Sequence, residues 1–255
     1  MNEPSAPESP VYLVLGASGG IGSNLARRLA ADGARVAVAS RASERLEALA
    51  GELGGSSHEL DATDYEAVKA CVDNVVQEHG RLDGVANCVG SLLLKPAHRT
   101  RPEEFAATVA TNLGSAFNAV ATAVPHLRDN GGSIVLVSSA AAGTGMPNHE
   151  AIAAAKAGIE GLTRAAAASY GGNGIRVNAV APGLVQTPLT ERITRSDAAA
   201  DASRAMHALG RLGEPGDVAG LMQWLLMPTG AWVTGQVFGV DGGLGRVRPP
   251  QRLRA

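Results

Sequence analysis

The sequence predicts an α/β fold with one doubly wound parallel sheet of about seven strands and helices on both faces. Short apolar runs, such as Val11–Leu15 and residues 134–137, alternate along the chain with segments whose apolar residues recur at helical spacing. Strands that alternate with helices pair in parallel through right-handed crossovers. The 255 residues fit one large domain, and neither an internal repeat nor a linker divides them.

The predicted elements follow one another in regular order. The strands cover residues 11–15, 35–39, a short stretch that ends near Asp61, and residues 85–89, 134–137, 177–180 and 237–240. Apolar residues three and four apart predict the helices: one from the first turn to Gly33, then helices over residues 46–53, 68–76, around 105–127 and 151–170. The folded domain is therefore expected to cover residues 11–245.

The composition argues against several classes of protein. A net charge of −2 does not suit a nucleic-acid surface, and the chain lacks the run of about 18 apolar residues that a membrane span needs. Two cysteines, Cys71 and Cys88, make neither a disulfide framework nor a metal site, so a cytoplasmic protein is expected. Residues 1–10 are expected to form a disordered leader. Residues 246–255 are expected to form a basic tail that is solvated or contacts another subunit.

A glycine-rich turn joins the first strand to the first helix. It is Gly16-Ala17-Ser18-Gly19-Gly20-Ile21-Gly22. Glycine permits a sharp turn and a close approach of ligand, and the amides at the start of the next helix favour a pyrophosphate. The strand–turn–helix context therefore predicts a Rossmann-type nucleotide site, with contacts from Gly16, Ser18, Gly19, Gly20, Ile21 and Gly22.

The end of the second strand indicates which nucleotide binds. NAD sites usually place an acidic residue here for the ribose 2′-hydroxyl, but this chain has Ser40 followed by Arg41. The missing acid removes a repulsion, and a guanidinium group suits a 2′-phosphate. NADP(H) is therefore predicted in preference to NAD(H). The alternative is that Arg41 is only a solvated surface side chain.

Further motifs follow this turn in a fixed order. They are Leu60-Asp61-Ala62-Thr63-Asp64, Asn87-Cys88-Val89-Gly90, Thr111-Asn112-Leu113, Ser138-Ser139, Ala154-Ala155-Lys156, and Pro182-Gly183-Leu184-Val185-Gln186-Thr187. Together with the glycine-rich turn they resemble the short-chain dehydrogenase/reductase family from about Val11 to Gly243. The resemblance implies an oxidoreductase that transfers hydride between a nicotinamide cofactor and a small-molecule substrate.

The resemblance also implies roles for these residues. Cofactor contacts are implied for Asp61, Ala62, Asn87, Gly90, Lys156, Pro182, Gly183, Val185 and Thr187. Among the catalytic groups, Asn112 is implied to organise a water relay, Ser139 to orient the substrate carbonyl, and Lys156 to hold the nicotinamide ribose. Members of the family usually form dimers or tetramers, which implies a homodimer or homotetramer through the alanine-rich helix over residues 151–168.

One position departs from the family pattern. The family's general acid is a tyrosine four residues before the active-site lysine, and here that position is Ile152. Isoleucine has no proton to donate. The nearest protonatable alternative is His149, seven residues before Lys156, and residues 149, 152 and 156 share one face of a helix. Asn148 is the expected N-cap of this helix.

Two functions therefore remain open at the level of sequence. The first is an atypical NADP(H)-dependent oxidoreductase that reduces a carbonyl or an activated C=C bond, with His149 as the substitute proton donor. The second is a protein that binds NADP(H) without turnover and acts as a sensor or an oligomer partner. Residues 188–209 are expected to form a substrate lid, and Arg192, Arg195, Arg204 and His207 would suit a polar or anionic substrate or equally a surface helix.

Overall fold

Strands and helices alternate throughout residues 9–248, which are the residues that the computed structural model describes. The strands are β1 (Val11–Leu15), β2 (Arg35–Ser40), β3 (Ser57–Glu59), β4 (Gly84–Asn87), β5 (Gly132–Val137), β6 (Ile175–Pro182) and β7 (Val237–Val240). The helices are α1 (Gly20–Ala31), α2 (Glu44–Leu53), α3 (Tyr65–His79), α4 (Pro102–Val109), α5 (Ser115–Leu127), α6 (Glu150–Tyr170), α7 (Glu191–Thr194), α8 (Asp197–Met206) and α9 (Pro215–Leu226). The predicted leader and basic tail lie mostly outside the described residues.

The strands form one sheet in the order β3-β2-β1-β4-β5-β6-β7, and every pair of neighbours is parallel. The predicted fold class is therefore confirmed. The strand order reverses between β1 and β4, and ligands of such sheets bind at the carboxyl ends of the strands beside this reversal.

Helices cover both faces of the sheet, and β1 shows the consequence in its sequence. Val11, Leu13 and Leu15 pack into one core cluster with α3, α5 and α6, whereas Tyr12 and Val14 pack into the other with α1, α2 and α9. Because side chains alternate between the two faces of a strand, a strand covered on both sides has to be apolar at every position. This burial explains the uninterrupted apolar run from which β1 was predicted.

The predicted long helix around residues 105–127 is interrupted. α4 leads into a π-helical turn at Ala110–Gly114, which continues as α5. Such a turn holds an extra residue, which changes the direction of the side chains within it, and it is frequent at functional sites. Asn112 lies in this turn and is fully buried.

Two helix predictions needed correction. α9 was not identified from sequence, although Pro215 at its first position and Asp217, whose carboxylate accepts the Glu214 N–H at 2.8 Å, are typical of a helix start. The N-cap of α6 is His149 instead of Asn148. Asn148 adopts a φ of +65°, a left-handed conformation that asparagine tolerates, and its carbonyl accepts the Lys95 N–H at 2.8 Å.

Candidate active site

A long groove crosses the carboxyl ends of β1, β2 and β4 and opens into a smaller pocket above β5 and β6. The groove has a volume of about 880 Å³ and the pocket about 260 Å³. Seven residues line both, so the two form one continuous cleft: Ile21, Cys88, Val89, Gly90, Ser91, Thr187 and Leu189. The cleft lies where the strand order reverses.

The glycine-rich turn forms the floor of the groove, and its glycines are required by close backbone contacts. Gly16 has a φ of +76°, and a Cβ atom there would lie 2.7 Å from the Val89 nitrogen. A Cβ atom on Gly22 would lie 2.5 Å from the Gly16 carbonyl oxygen. Ser18, Gly19, Gly20 and Ile21 also line the groove, and α1 begins at Gly20 with no side-chain cap on its first amides. These amides are therefore available to an anion.

The far end of the groove contains the residues that were predicted to select the nucleotide. Ser40, Arg41, Asp61 and Ala62 line it together. The Ser40 hydroxyl donates to the Arg41 carbonyl at 3.0 Å, and the exposed Arg41 guanidinium makes no hydrogen bond to any residue in the range 9–248. The backbone N–H and the hydroxyl of Thr63 bind the Asp61 carboxylate, and these bonds, with Arg41 nearby, lower its pKa.

Two buried asparagines support the cleft from below. Asn87 accepts the Val89 N–H at 3.1 Å and donates to the Ser115 hydroxyl at 3.0 Å, so its side chain lies under the groove and shapes the loop. Asn112 accepts the Ser91 N–H at 3.2 Å and donates to the Thr108 carbonyl at 2.9 Å. Gly90 fits between Asn112 and Lys156 because it has no side chain. A Cβ atom there would lie only 3.1 Å from Asn112 Oδ1.

Lys156 extends from α6 to the point where the groove meets the pocket. Its Nζ donates to the Val137 carbonyl at 2.7 Å. Burial lowers its pKa to about 8, and the same burial raises the pKa of the neighbouring Cys88 thiol to about 12. At neutral pH the site therefore contains a charged ammonium group beside a protonated, unreactive thiol.

Ser139, His149 and Ile152 line the pocket together with Lys156. The Ser139 hydroxyl oxygen accepts the Ala141 N–H at 3.2 Å, and its hydrogen is free to meet a ligand oxygen. His149 Nδ1 lies 2.8 Å from the Pro147 carbonyl, so Nδ1 carries a proton and donates it to that carbonyl. Nε2 is therefore the ring nitrogen that is left to interact with a ligand. Ile152 is 3% exposed and contributes only hydrocarbon to the wall.

The turn after β6 closes the pocket on the other side. Pro182, Gly183, Val185 and Thr187 all line it. The role of His207 in holding this turn was not predicted. Its Nδ1 donates to the Ser203 carbonyl at 2.7 Å, and its Nε2 accepts the Leu184 N–H at 3.2 Å.

The lid over residues 188–209 contributes apolar side chains to the pocket. Leu189, Ile193 and Met206 line it, whereas Arg192, Arg195 and Arg204 line neither the pocket nor the groove. The predicted contacts of the lid were its arginines, and the apolar contacts of Leu189, Ile193 and Met206 were not predicted.

The fold and the cleft define a class of protein, the doubly wound Rossmann-type proteins with a nucleotide cleft at the reversal of strand order. A family model described as enoyl-(acyl carrier protein) reductase matches residues 16–245. The chain belongs to the short-chain dehydrogenase/reductase family of oxidoreductases. Within residues 9–248 no helix is both long enough and apolar enough to cross a membrane.

Three similar proteins illustrate this membership. The 3-oxoacyl-[acyl-carrier-protein] reductase FabG of Thermotoga maritima is 37% identical over 93% of this chain and 98% of its own length. A short-chain dehydrogenase/reductase structure from Mycobacterium ulcerans is 34% identical, with a TM-score of 0.88 over 96% of this chain and 92% of that one. A variant of actinorhodin polyketide ketoreductase, solved with NADPH, is 31% identical, with a TM-score of 0.89 over 94% of this chain and 98% of that one.

Proposed function

We propose that the protein is an atypical NADP(H)-dependent oxidoreductase that transfers hydride to or from a carbonyl or an activated C=C bond of a small molecule. The observation that carries this proposal is the continuous cleft, in which the groove lined by Gly16 and Arg41 opens into the pocket lined by Ser139, His149 and Lys156. A dinucleotide that lies along the groove can therefore reach from Arg41 to Lys156, and a small substrate can bind beside it in the pocket.

The residues of the groove fit NADP(H). The glycines let the backbone pack closely, Gly16 against Val89 and Gly22 against the Gly16 carbonyl, and the uncapped amides at the start of α1 suit a pyrophosphate. Arg41 offers an unpaired guanidinium fork at the groove end, where a 2′-phosphate would lie. Lys156 supplies positive charge at the other end. The relative solved with NADPH supports the same preference.

Three side chains of the pocket have separate roles in the proposed reaction. NADPH, when bound, supplies the hydride. Ser139 donates a hydrogen bond to the acceptor oxygen, and the Lys156 ammonium stabilises the negative charge that develops there. Because the Pro147 carbonyl holds a proton on Nδ1, His149 can donate a proton to the substrate only from Nε2. His149 thus takes over the proton transfer that Ile152 cannot perform.

A second candidate function is NADP(H) binding without turnover. It is favoured by the hydrocarbon wall at Ile152 and by the bond from Lys156 Nζ to the Val137 carbonyl, which keeps the lysine in place without a catalytic partner. Ser139 and Lys156 would then serve only to bind the cofactor.

The first experiment measures the binding of NADPH and NADH to the full chain by isothermal titration calorimetry. Arg41→Ser should raise the Kd for NADPH by about tenfold or more, because charge-assisted hydrogen bonds to the 2′-phosphate are lost. The Kd for NADH should change less than twofold. Arg45→Ser, which removes an exposed arginine outside the groove, is the matched control. Failure of the wild-type protein to bind either nucleotide would refute the proposal.

The second measurement follows NADPH oxidation with a panel of ketones, quinones and enones. His149→Ala should lower kcat about 100-fold, the usual effect of losing a general acid, with the Kd for NADPH unchanged. His98→Ala, a histidine outside the cleft, is the control. Adding Ile152→Tyr to the His149→Ala variant should restore ketone reduction. NADPH binding with no turnover of any acceptor would favour the second candidate.

A further inference from the structure

Few charged groups line the pocket. In the part of the chain that the structure describes, its ionisable lining residues other than Cys88 are His149, Lys156 and His207, with no aspartate, glutamate or arginine. Both ring nitrogens of His207 are bonded to backbone groups, so this side chain has no donor or acceptor left for a ligand. Of the remaining charged groups, Lys156 and His149 are those assigned to the hydride acceptor. Most of the uncharged polar side chains of the lining are already hydrogen-bonded within the protein: Ser91, Asn112, Ser138, Thr187 and Thr190.

Apolar side chains form most of the surface of the pocket. Ile152 contributes hydrocarbon at the place where the family has a tyrosine, and Met146 lies on the same wall of the cleft. Leu189, Ile193 and Met206 form the inner surface of the lid. A polar substrate group placed against these side chains would lose its hydration without gaining a partner, which is energetically costly.

Apolar side chains also remain open to water at the mouth of the pocket. Leu94 is 41% exposed, Met206 is 47% exposed and Leu189 is 53% exposed, and all three line the pocket. Exposed apolar residues that cluster around a cavity mark a binding surface, because a ligand that covers them removes apolar area from water.

The arginines of the lid are directed to other partners. Arg195 pairs with Glu191 at 3.0 Å, and Arg204 pairs with Asp201. Both arginines are exposed, as is Arg192, and none of the three lines the pocket. The lid therefore presents hydrocarbon inward and charge outward, which does not suit an anionic substrate.

From these observations we infer that the substrate is a small, uncharged and mostly hydrocarbon ketone or enone whose single polar group is the hydride acceptor. The inference rests on the proposed function and specifies the substrate class of the same pocket. The pocket volume of about 260 Å³ restricts the substrate to a small molecule. Hydroxyl-rich substrates and carboxylates are excluded, because their polar groups would be buried without partners.

A ligand series tests this substrate class. The probes are methyl ketones from butanone to octan-2-one, the matching enones, 3-oxooctanoate and the hydroxylated ketone erythrulose. KM should fall about fourfold with each added methylene until the pocket is full, as expected for burial of a CH₂ group. 3-Oxooctanoate should have a KM at least tenfold above that of octan-2-one, and erythrulose a KM at least tenfold above that of butanone, the ketone with the same number of carbons. Equal or lower values for either would overturn the inference.

Variants of the two lid surfaces provide the second test. Ile193→Asp should raise KM for octan-2-one at least tenfold, and Met206→Lys, a more exposed site, should act in the same direction. Neither variant should alter the Kd for NADPH. The triple variant Arg192→Ala, Arg195→Ala, Arg204→Ala should leave KM within twofold of wild type. A large rise of KM in the triple variant would show instead that the arginines bind substrate.

Ligand-induced shifts of Tm separate failure of this inference from failure of the proposed function. Octan-2-one should raise the Tm of the NADPH-saturated protein even if no turnover occurs, because a ligand of the folded state stabilises it. Erythrulose at the same concentration should not. If octan-2-one binds without NADPH oxidation, the substrate class stands and catalysis fails. If erythrulose binds and octan-2-one does not, the substrate class fails.

Discussion

Lys156 is a residue whose chemistry depends on its surroundings. An exposed lysine keeps its proton to beyond pH 10, but burial lowers the pKa of Lys156 to about 8. Anionic groups of a bound cofactor favour the ammonium form and raise that pKa again. Binding above pH 8 therefore requires uptake of a proton by the protein.

This linkage predicts how NADPH binding depends on pH. Between pH 7.5 and 9.5 the Kd for NADPH should rise about 25-fold, because the free protein, in which the pKa of Lys156 is about 8, loses the ammonium proton that the complex retains. Arg41 stays charged and the 2′-phosphate stays ionised over this range, so neither contributes. Fluorescence titration at each pH provides the measurement. Lys156→Met should bind more weakly and show a flat profile, and an equally steep profile in this variant would contradict the assignment.

At the scale of elements, His207 joins the lid to the turn that follows β6. Its ring is 3% exposed and links the Ser203 carbonyl of α8 to the Leu184 N–H of the turn. A Cβ atom on Gly183 would lie 2.6 Å from His207 Nε2, so the ring and the turn are in direct contact. Movement of the lid is therefore coupled to the turn for which the resemblance implies contacts with the cofactor.

Substitution of His207 should uncouple these elements. His207→Phe keeps an aromatic ring but leaves a buried N–H and a buried C=O without partners, at a cost of about 2 kcal/mol in the free energy of unfolding. Amide hydrogen exchange should accelerate in α8 and at Leu184, and KM for substrate should rise more than kcat falls. His207→Gln, which supplies one donor and one acceptor, should recover part of both effects. Unchanged exchange in α8 would argue against the coupling.

At the scale of the whole molecule, one surface is suited to a second copy of the chain. The outer face of α6 exposes small residues, including Ala154, Ala157 and Gly161, which allow another helix to approach closely. α4 and α5 pack beside α6, and they expose Phe105 and Phe117, which are 46% and 56% exposed. We propose that two copies associate through this surface, in line with the oligomer that the resemblance implies.

The association state tests this proposal. Wild-type protein should sediment as a dimer or tetramer, and Phe117→Arg should shift it toward smaller species, because a charge would be buried without a partner. Ala48→Arg is the control, since Ala48 is exposed on α2, which packs on the opposite face of the sheet from α5 and α6. Analytical ultracentrifugation at micromolar concentration provides the measurement. A monomeric wild type, or equal effects of both variants, would refute the proposed surface.

Much of the fold was accessible from sequence because its signals are local. β1 and β7 occupy the predicted residues. β1 is buried on both faces and needs a continuous apolar run, whereas β7 is a partly buried edge strand. The fourth strand was predicted to end at residue 89, but β4 ends at Asn87, where the chain leaves the sheet to form the cleft. The π-helical turn at Asn112 was missed, because its neighbours have ordinary helical spacing. α9 was missed although its start carries a local signal.

The sequence by itself determined the fold class, the glycine-rich nucleotide turn and the absence of a tyrosine at position 152, because each depends on residues adjacent in the chain. Tertiary structure alone decided the chemistry of the pocket. It buried Lys156 against β5, brought Ser139 and His149 to the same cavity, and turned the lid arginines outward. These properties depend on burial and on contacts between residues far apart in sequence, and neither is visible in a local pattern.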